Sequence, residues 1–275
     1  MTAAAWLEQV VERAMAVQQI PAPTFAESAR GALVRQLFVD EDLTDVQIDR
    51  VGNVFARLPG NGLAKPLIVS AHLDTVFPAG TDLTLRRDAE KVYAPGIGDN
   101  SLGVAGLFGL IWELKARSFP LPGDVWVVAN VCEEGLGDLR GMKAVVERFG
   151  AAVTGYIVLE GMSLGYVYHR GLGVRRYQIT ARTAGGHSWV DFGRPSAIHE
   201  LAALVCRLNN IPLPRQPRTS MNVGVISGGT SVNTIAAQAS LDLDTRSEGK
   251  QELVALAEQV EELVKQANQP GAVQV

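Results

Sequence analysis

The sequence predicts an α/β protein, with a mostly parallel sheet in its first domain and a smaller α+β second domain. Three observations carry this. Continuous apolar runs, LIVSA (67–71), VWVVANV (125–131) and YIVL (156–159), alternate with helical segments over the first 165 or so residues. Buried strands that alternate with helices mark a parallel sheet covered on both faces. Beyond that point the pattern changes to alternating strands such as VRRYQITART (174–183), as expected of a sheet with one exposed face.

The elements follow in order. Leu7, Val10, Val11, Ala14 and Val17 fall on one helical face over residues 3–19, and Pro21 and Pro23 end that helix. A second helix covers 26–39. Val46–Ile48 and Val54–Leu58 read as strands, with Asn61-Gly62 as a turn. LIVSA is a buried strand, NSLGVAGLFGLIWELKA (100–116) a helix with small residues for close packing, and VWVVANV a second buried strand. LRGMKAVVERFG (139–150) is a helix closed by Gly150, and YIVLE (156–160) a third buried strand. The second domain then reads as strand 174–183, helix 196–211, strands 221–229 and 237–245, and helix 251–268. We place the domains at 1–168 and 169–275.

The bulk composition narrows the function classes. The 275 residues are 47% hydrophobic and 20% charged, with a net charge of −4, which is ordinary for one large or two modest globular domains. No clustered basic face points to nucleic acid. Two isolated cysteines, Cys132 and Cys206, do not make a disulfide framework and fit a reducing compartment. The start, MTAAAWLEQVVERAM, has no basic region and is interrupted by acidic residues, unlike a signal peptide. No stretch approaches the roughly 18 apolar residues of a membrane span. The expectation is a soluble, cytoplasmic protein without nucleic-acid or membrane partners.

The chemistry lies where the buried strands end. His72-Leu73-Asp74 follows LIVSA. Glu133 and Glu134 follow VWVVANV and Cys132. YIVL runs into Glu160, and Asp99 opens the long helix in GIGDNSLG. In α/β folds the carboxyl ends of the strands form the ligand-binding edge. Each residue alone has a plain structural reading: Asp99 as a helix cap, His72 as a core histidine, the Glu pair as solvated surface, Glu160 as a strand-end charge. Together they are harder to dismiss, because adjacent carboxylates stay ionised cheaply only beside a cation. One imidazole among several carboxylates suits Zn²⁺, Mn²⁺ or Co²⁺.

HLDT, GIGDN, EEG and LEG, in this order and spacing, resemble family twenty of the metallopeptidases. That is the co-catalytic zinc group of glutamate carboxypeptidases, succinyl-diaminopimelate desuccinylase, aminoacylase and peptidase T. GGHSW, GGTSVN and LDTR resemble landmarks of its inserted lid, or dimerisation, domain. The resemblance implies two divalent metal ions, zinc foremost. His72 and Glu160 would hold one, Glu134 the other, and Asp99 would bridge them. Asp74 would orient the imidazole. Glu133 would be the general base, taking a proton from water and passing it to the leaving amine. A cis peptide after Asp99 is implied as well. In the lid, His187 would stabilise an oxyanion in the partner subunit's site. Asn233 and Arg246 would bind substrate, the arginine by clamping a carboxylate. Small peptides or N-acyl amino acids are the implied substrates, and a homodimer through the lid the implied assembly.

One family feature has no counterpart. After the lid, the family's chain returns to the catalytic domain and adds a final histidine ligand; here no histidine lies beyond His199. The expectation is a chain lacking that return segment. Supply of the segment by another chain, or a fold kept without activity as a dimerising or regulatory module, are the alternatives. A nucleotide-binding reading of GIGDNSLG is weak, since it matches neither the dinucleotide fingerprint nor a P-loop.

Overall fold

Alternation along three strands sets the layering of the first of two units. The computed structural model describes residues 3–161, 164–268 and 273–275, and divides into Met1–Tyr166 and Val167–Val275. The first unit begins with α1 (Ala3–Gln18), α2 (Ser28–Asp40) and β1 (Thr44–Ile48), followed by β2 (Val54–Leu58) and β3 (Leu67–His72). A short hairpin, β4 (Arg86–Arg87) and β5 (Val92–Tyr93), precedes α3 (Gly103–Ala116) and β6 (Val125–Asn130). The unit ends with α4 (Arg140–Phe149) and β7 (Gly155–Val158). Successive side chains of a strand point to opposite faces. Val54, Ala56, Val69, Ala71, Val127 and Ala129 join a core with Val17 of α1, Val34 and Phe38 of α2, and Val104, Leu107 and Phe108 of α3. Phe55, Ile68 and Val128 face the other way, onto Val145 and the partly buried Met142 and Phe149 of α4. Helices therefore cover both faces of the sheet.

The strand order is β1-β2-β6-β3-β7. β3 lies parallel to β6 and to β7, while β2 is antiparallel to β1 and β6. The antiparallel edge follows from the short β1–β2 link, where Asp49 Oδ1 accepts the N–H groups of Val51, Gly52 and Asn53, each at 2.9 Å; only antiparallel neighbours can be joined so tightly. The parallel register aligns the strand ends, His72 opposite Asn130 and Ser70 opposite Val158. One expectation changes: β7 is not fully buried. Ile157 and Val158 are 47% and 56% exposed, because β7 is an edge strand of the described sheet.

The second unit contains β8 (Gly173–Thr183), β9 (Gly186–His187), α5 (Ala197–Asn209), β10 (Thr219–Gly228), β11 (Thr234–Ile235), β12 (Gln238–Ser247), α6 (Lys250–Ala267) and β13 (Val273–Gln274). Its antiparallel sheet has the order β10-β12-β8-β13. Ile179, Ala181, Ala239, Leu241 and Leu243 face Leu201, Leu204 and Leu208 of α5 and Leu256 and Val260 of α6. The other sheet face carries polar residues such as Gln178, Asp242 and Asp244. Both cysteines are free, Cys132 buried and Cys206 exposed. Among the described residues no helix is long and apolar enough to cross a membrane.

Phe108 is fully buried and its ring lies 5.1 Å from that of Phe38. Phe108→Ala is expected to lower the unfolding free energy by about 3–5 kcal/mol, read as a shifted midpoint in urea unfolding. A change below about 1 kcal/mol would mean the core collapses around the gap.

Candidate metal centre

The strand ends and one irregular turn bring the acidic groups to a single imidazole. His72 is the last residue of β3 and is 2% exposed. Its Nε2 stands 3.0 Å from Asp99 Oδ1 and 3.5 Å from Glu160 Oε2. Ligand atoms of His72, Asp99 and Glu134 all lie within 4.8 Å of one another. The site thus draws on the ends of β3, β6 and β7 and on the turn before α3. Glu133 is not part of that tight set, although its charge is felt by His72.

Asp99 reaches this point because the chain does not enter α3 as a regular helix. Residues Ile97–Leu102 form a wide π-type turn, with Asp99 and Asn100 outside helical angles and a cis peptide between them. Buried Asn100 holds the turn in place. Its Nδ2 donates to the Leu159 carbonyl at 2.9 Å, and its Oδ1 accepts the Gly103 N–H at 3.0 Å. Leu159 precedes Glu160, so one amide side chain ties two acidic segments together. The backbones pass so closely here that a Cβ on Gly161 would sit 1.7 Å from the Gly98 carbonyl oxygen.

Asp74 does more than the sequence implies. His72 Nδ1 faces the Asp74 backbone carbonyl at 3.0 Å and its carboxylate Oδ1 at 3.5 Å; the shorter contact makes the carbonyl the principal acceptor. The carboxylate, fully buried, accepts the N–H of Glu133 on Oδ1 and of Glu134 on Oδ2, both at 2.9 Å. Thr24 Oγ1 also donates to Oδ2, at 3.0 Å. Asp74 therefore aims the backbone of the adjacent glutamates.

The electrostatics favour positive charge at the centre. Burial alone lowers the His72 pKa, yet contacts with Asp74, Asp99 and Glu160 and the charge of Glu133 outweigh it and raise it. Burial first, then Asp99 and Glu133, push Glu134 up to about 7. Burial also raises Glu133, opposed by His72 and reinforced by Asp74, Glu160 and Asp99. Asp74 moves down, because the imidazole and two backbone N–H groups outweigh its burial. Asp99 Oδ1 is buried with no hydrogen-bond partner, since His72 Nε2 stands close without hydrogen-bond geometry. An unpaired buried carboxylate oxygen and an imidazole nitrogen converging on one point, with further carboxylates around them, fit a divalent cation.

The lid-like residues separate into two places. His187 in β9 pairs with Thr234 in β11, and the Ser188 N–H donates to the Asn233 carbonyl at 3.0 Å, so His187 and Asn233 share one end of the second unit. His187 Nδ1 accepts the N–H groups of Trp189 and Val190 at 3.3 and 3.4 Å. An accepting Nδ1 leaves the proton of the neutral ring on Nε2. A groove of about 480 Å³ opens beside this end, lined by Gly185, Gly186, Gly228, Gly229, Thr234 and Gln238. Arg246 is not brought to it. It lies at the opposite end of β12, opposite Val174 and eight residues beyond Gln238, which is about 26 Å along an extended strand. Its Nε donates to Asp244 Oδ2 at 2.6 Å. Sequence reading gave no role to Asp244 and Asn100, although they stand in LDTR and GIGDN, nor to Thr24, Glu27 and Arg30, which as single polar residues carry no motif signal.

Comparison with known proteins bears on the family. The peptidase dimerisation domain of the M20 group matches residues 172–272, and peptidase family M28 matches residues 53–166. A carboxypeptidase G2 from Pseudomonas sp. (strain RS-16) is 26% identical over 80% of this chain and 53% of its own length. A succinyl-diaminopimelate desuccinylase from Corynebacterium glutamicum is 24% identical over 92% of this chain and 70% of its own. The chain thus spans about half the length of the carboxypeptidase. An M20 family metallo-carboxypeptidase from Sulfolobus solfataricus shares the fold, with a TM-score of 0.75 at 14% identity over 99% of this chain and 77% of that one. The family M28 match is confined to the first unit, whereas the relatives run across both units and the second unit matches the M20 dimerisation domain. The match to the M20 dimerisation domain and the likeness to these relatives make the M20 peptidases the group that this chain most resembles across both units.

Proposed function

We propose that the protein is a metal-dependent hydrolase of peptide or N-acyl amino-acid amide bonds in small substrates, with a dinuclear site and Glu133 as general base. The observation that carries this reading is the convergence of His72, Asp99 and Glu134, with Glu160 3.5 Å from the same imidazole nitrogen that Asp99 faces. Asp99 would be shared, with His72 and Glu160 holding one ion and Glu134 the other. Two divalent ions, zinc foremost, would activate water and polarise the scissile carbonyl when bound.

The protein's own groups supply the rest. Glu133 has its pKa raised by burial and by neighbouring carboxylates, which suits a group that must take up a proton and release it in one cycle. Asp74 fixes the Glu133 backbone, so the base is aimed by a buried carboxylate. Glu133 would receive the proton of the attacking water and deliver it to the leaving amine. His187, held with its donor on Nε2, would stabilise a developing oxyanion, and Asn233 beside it would contact substrate. Arg246 would meet a substrate carboxylate only by leaving Asp244. A homodimer formed through the second unit would be the working assembly.

The base assignment is tested with the metal-loaded protein. It is assayed with Zn²⁺, Mn²⁺ or Co²⁺ against dipeptides and N-acyl amino acids, beside Glu133→Ala. The variant is expected to lose about 10²–10⁴-fold in kcat; equal turnover by both proteins would sink the assignment.

Protons and metal compete for the same centre. Glu134 holds its proton up to about 7 in the fold against an ordinary 4.5. That contribution to stability is complete below about pH 4.5 and is lost as pH rises through about 7. The raised His72 acts in the same direction above its ordinary 6.5, and the lowered Asp74 acts only in more acid solution. The metal-free protein is therefore expected to melt at a lower temperature near pH 8 than near pH 5. Added Zn²⁺ is expected to raise the melting temperature more at the higher pH, because the ligands must shed protons to bind. Melting temperatures with and without Zn²⁺ at both pH values check this; a Zn²⁺ effect larger near pH 5 is the contrary result.

A further inference from the structure

The turn that carries Glu133 and Glu134 has an awkward backbone. Cys132, just before them, adopts φ +54°, a left-handed conformation that is unfavourable for a residue with a side chain. The three successive N–H groups of residues 132–134 point into the protein. Asp74 takes two of them. The third, from Cys132, donates to Glu27 Oε1 at 2.9 Å.

Glu27 is an unusual partner. It stands at the N-cap of α2, where an acidic side chain ordinarily turns back to its own helix. It makes no such bond. The carboxylate is 5% exposed and crosses to a segment 105 residues away.

Arg30, three residues on, is 2% exposed. Its Nη1 donates to the carbonyl of Leu73 at 2.8 Å, between His72 and Asp74. Its Nε and Nη2 donate to the carbonyl of Ile20 at 2.9 and 2.6 Å. The intervening chain is also bound to this segment, since the Thr75 N–H donates to the Ala22 carbonyl at 2.9 Å and Thr24 Oγ1 donates to Asp74. The start of α2 therefore grips both ligand-bearing turns, one through a buried carboxylate and the other through a buried guanidinium.

We infer that Glu27 and Arg30 are positioning residues of the metal centre, setting the spacing between the His72–Asp74 and Cys132–Glu134 turns. The inference rests on the metal reading of His72, Asp99, Glu134 and Glu160. It adds two buried groups that touch no ligand atom and act on the backbone that bears the ligands. Burying a guanidinium and a carboxylate is costly unless their hydrogen bonds are made. Glu27 accepts from the Cys132–Glu134 turn and Arg30 donates to the His72–Asp74 turn, while the remaining Arg30 donors go to the Ile20 and Gln18 carbonyls.

Zinc affinity, measured by competition with a chromophoric chelator, and the visible spectrum of the Co²⁺-loaded protein test it, with thermal melting as the check on folding. His72→Ala sets the baseline and is expected to abolish tight binding. Glu27→Ala is expected to bind Zn²⁺ about 10–100-fold more weakly and to alter the Co²⁺ spectrum while still melting cooperatively. Glu27→Gln keeps an acceptor oxygen for the Cys132 N–H and is expected to bind like the wild type. Arg30→Lys keeps the charge but not the forked donor, and is expected to weaken binding about tenfold. A folded Glu27→Ala protein with wild-type affinity and spectrum overturns the inference. If that variant does not fold, wild-type affinity in Arg30→Lys overturns it instead. Equal affinity in His72→Ala and wild type would locate the failure in the metal centre itself.

Discussion

Negative charge crowded around one imidazole is the constraint on which the first unit depends. Asp99, Glu133, Glu134 and Glu160 stand around the buried His72, and burial first, then the neighbouring carboxylates, raises the pKa of both Glu133 and Glu134. Such a cluster is stable only where a positive charge is shared among its members. An imidazole proton meets part of that need and a divalent cation meets more, because it can contact several oxygens at once. The Asp99 oxygen without a hydrogen-bond partner marks where the need is least met by protein groups.

Holding such a cluster together requires a scaffold that does not relax. Parallel pairing of β3 with β6 and β7 brings the three strand ends to one edge. Beyond that edge the chain is irregular, and side-chain hydrogen bonds take over from the ladder. Asn100 ties the Asp99 turn to the strand before Glu160. Asp74 aims the glutamate pair, and Glu27 and Arg30 extend the same support outward. Each of these buried polar groups has at least one hydrogen bond to a backbone atom of the candidate site, so loss of one would leave a buried backbone group unpaired there.

The second unit follows a different logic. Its antiparallel sheet keeps one face for α5 and α6 and leaves the other polar. His187 and Asn233 come together at one end, beside the small β9–β11 ladder. There two backbone N–H groups donate to His187 Nδ1. Arg246 shows how a plausible role depends on place: the residue type suits a carboxylate clamp, but it lies at the far end of β12 and is engaged by Asp244.

The sequence by itself determined the fold class, the order of the main elements and the residues of the candidate site that follow strands or open a helix. Those features are local: buried strands are apolar runs, and His72, Glu133, Glu134 and Glu160 follow such strands directly, while Asp99 opens a helix. Residues joined only through space were decided by the tertiary structure. Glu27 and Arg30 carry no motif signal in the sequence, and only the fold places them against segments 105 and 43 residues away. The same holds for the antiparallel edge of the sheet, the exposure of Ile157 and Val158 on β7, and the separation of Arg246 from His187. The physical reason is that hydrophobic periodicity reports which face of an element is buried, whereas the hydrogen-bond partner of a buried polar group is chosen only when distant segments meet.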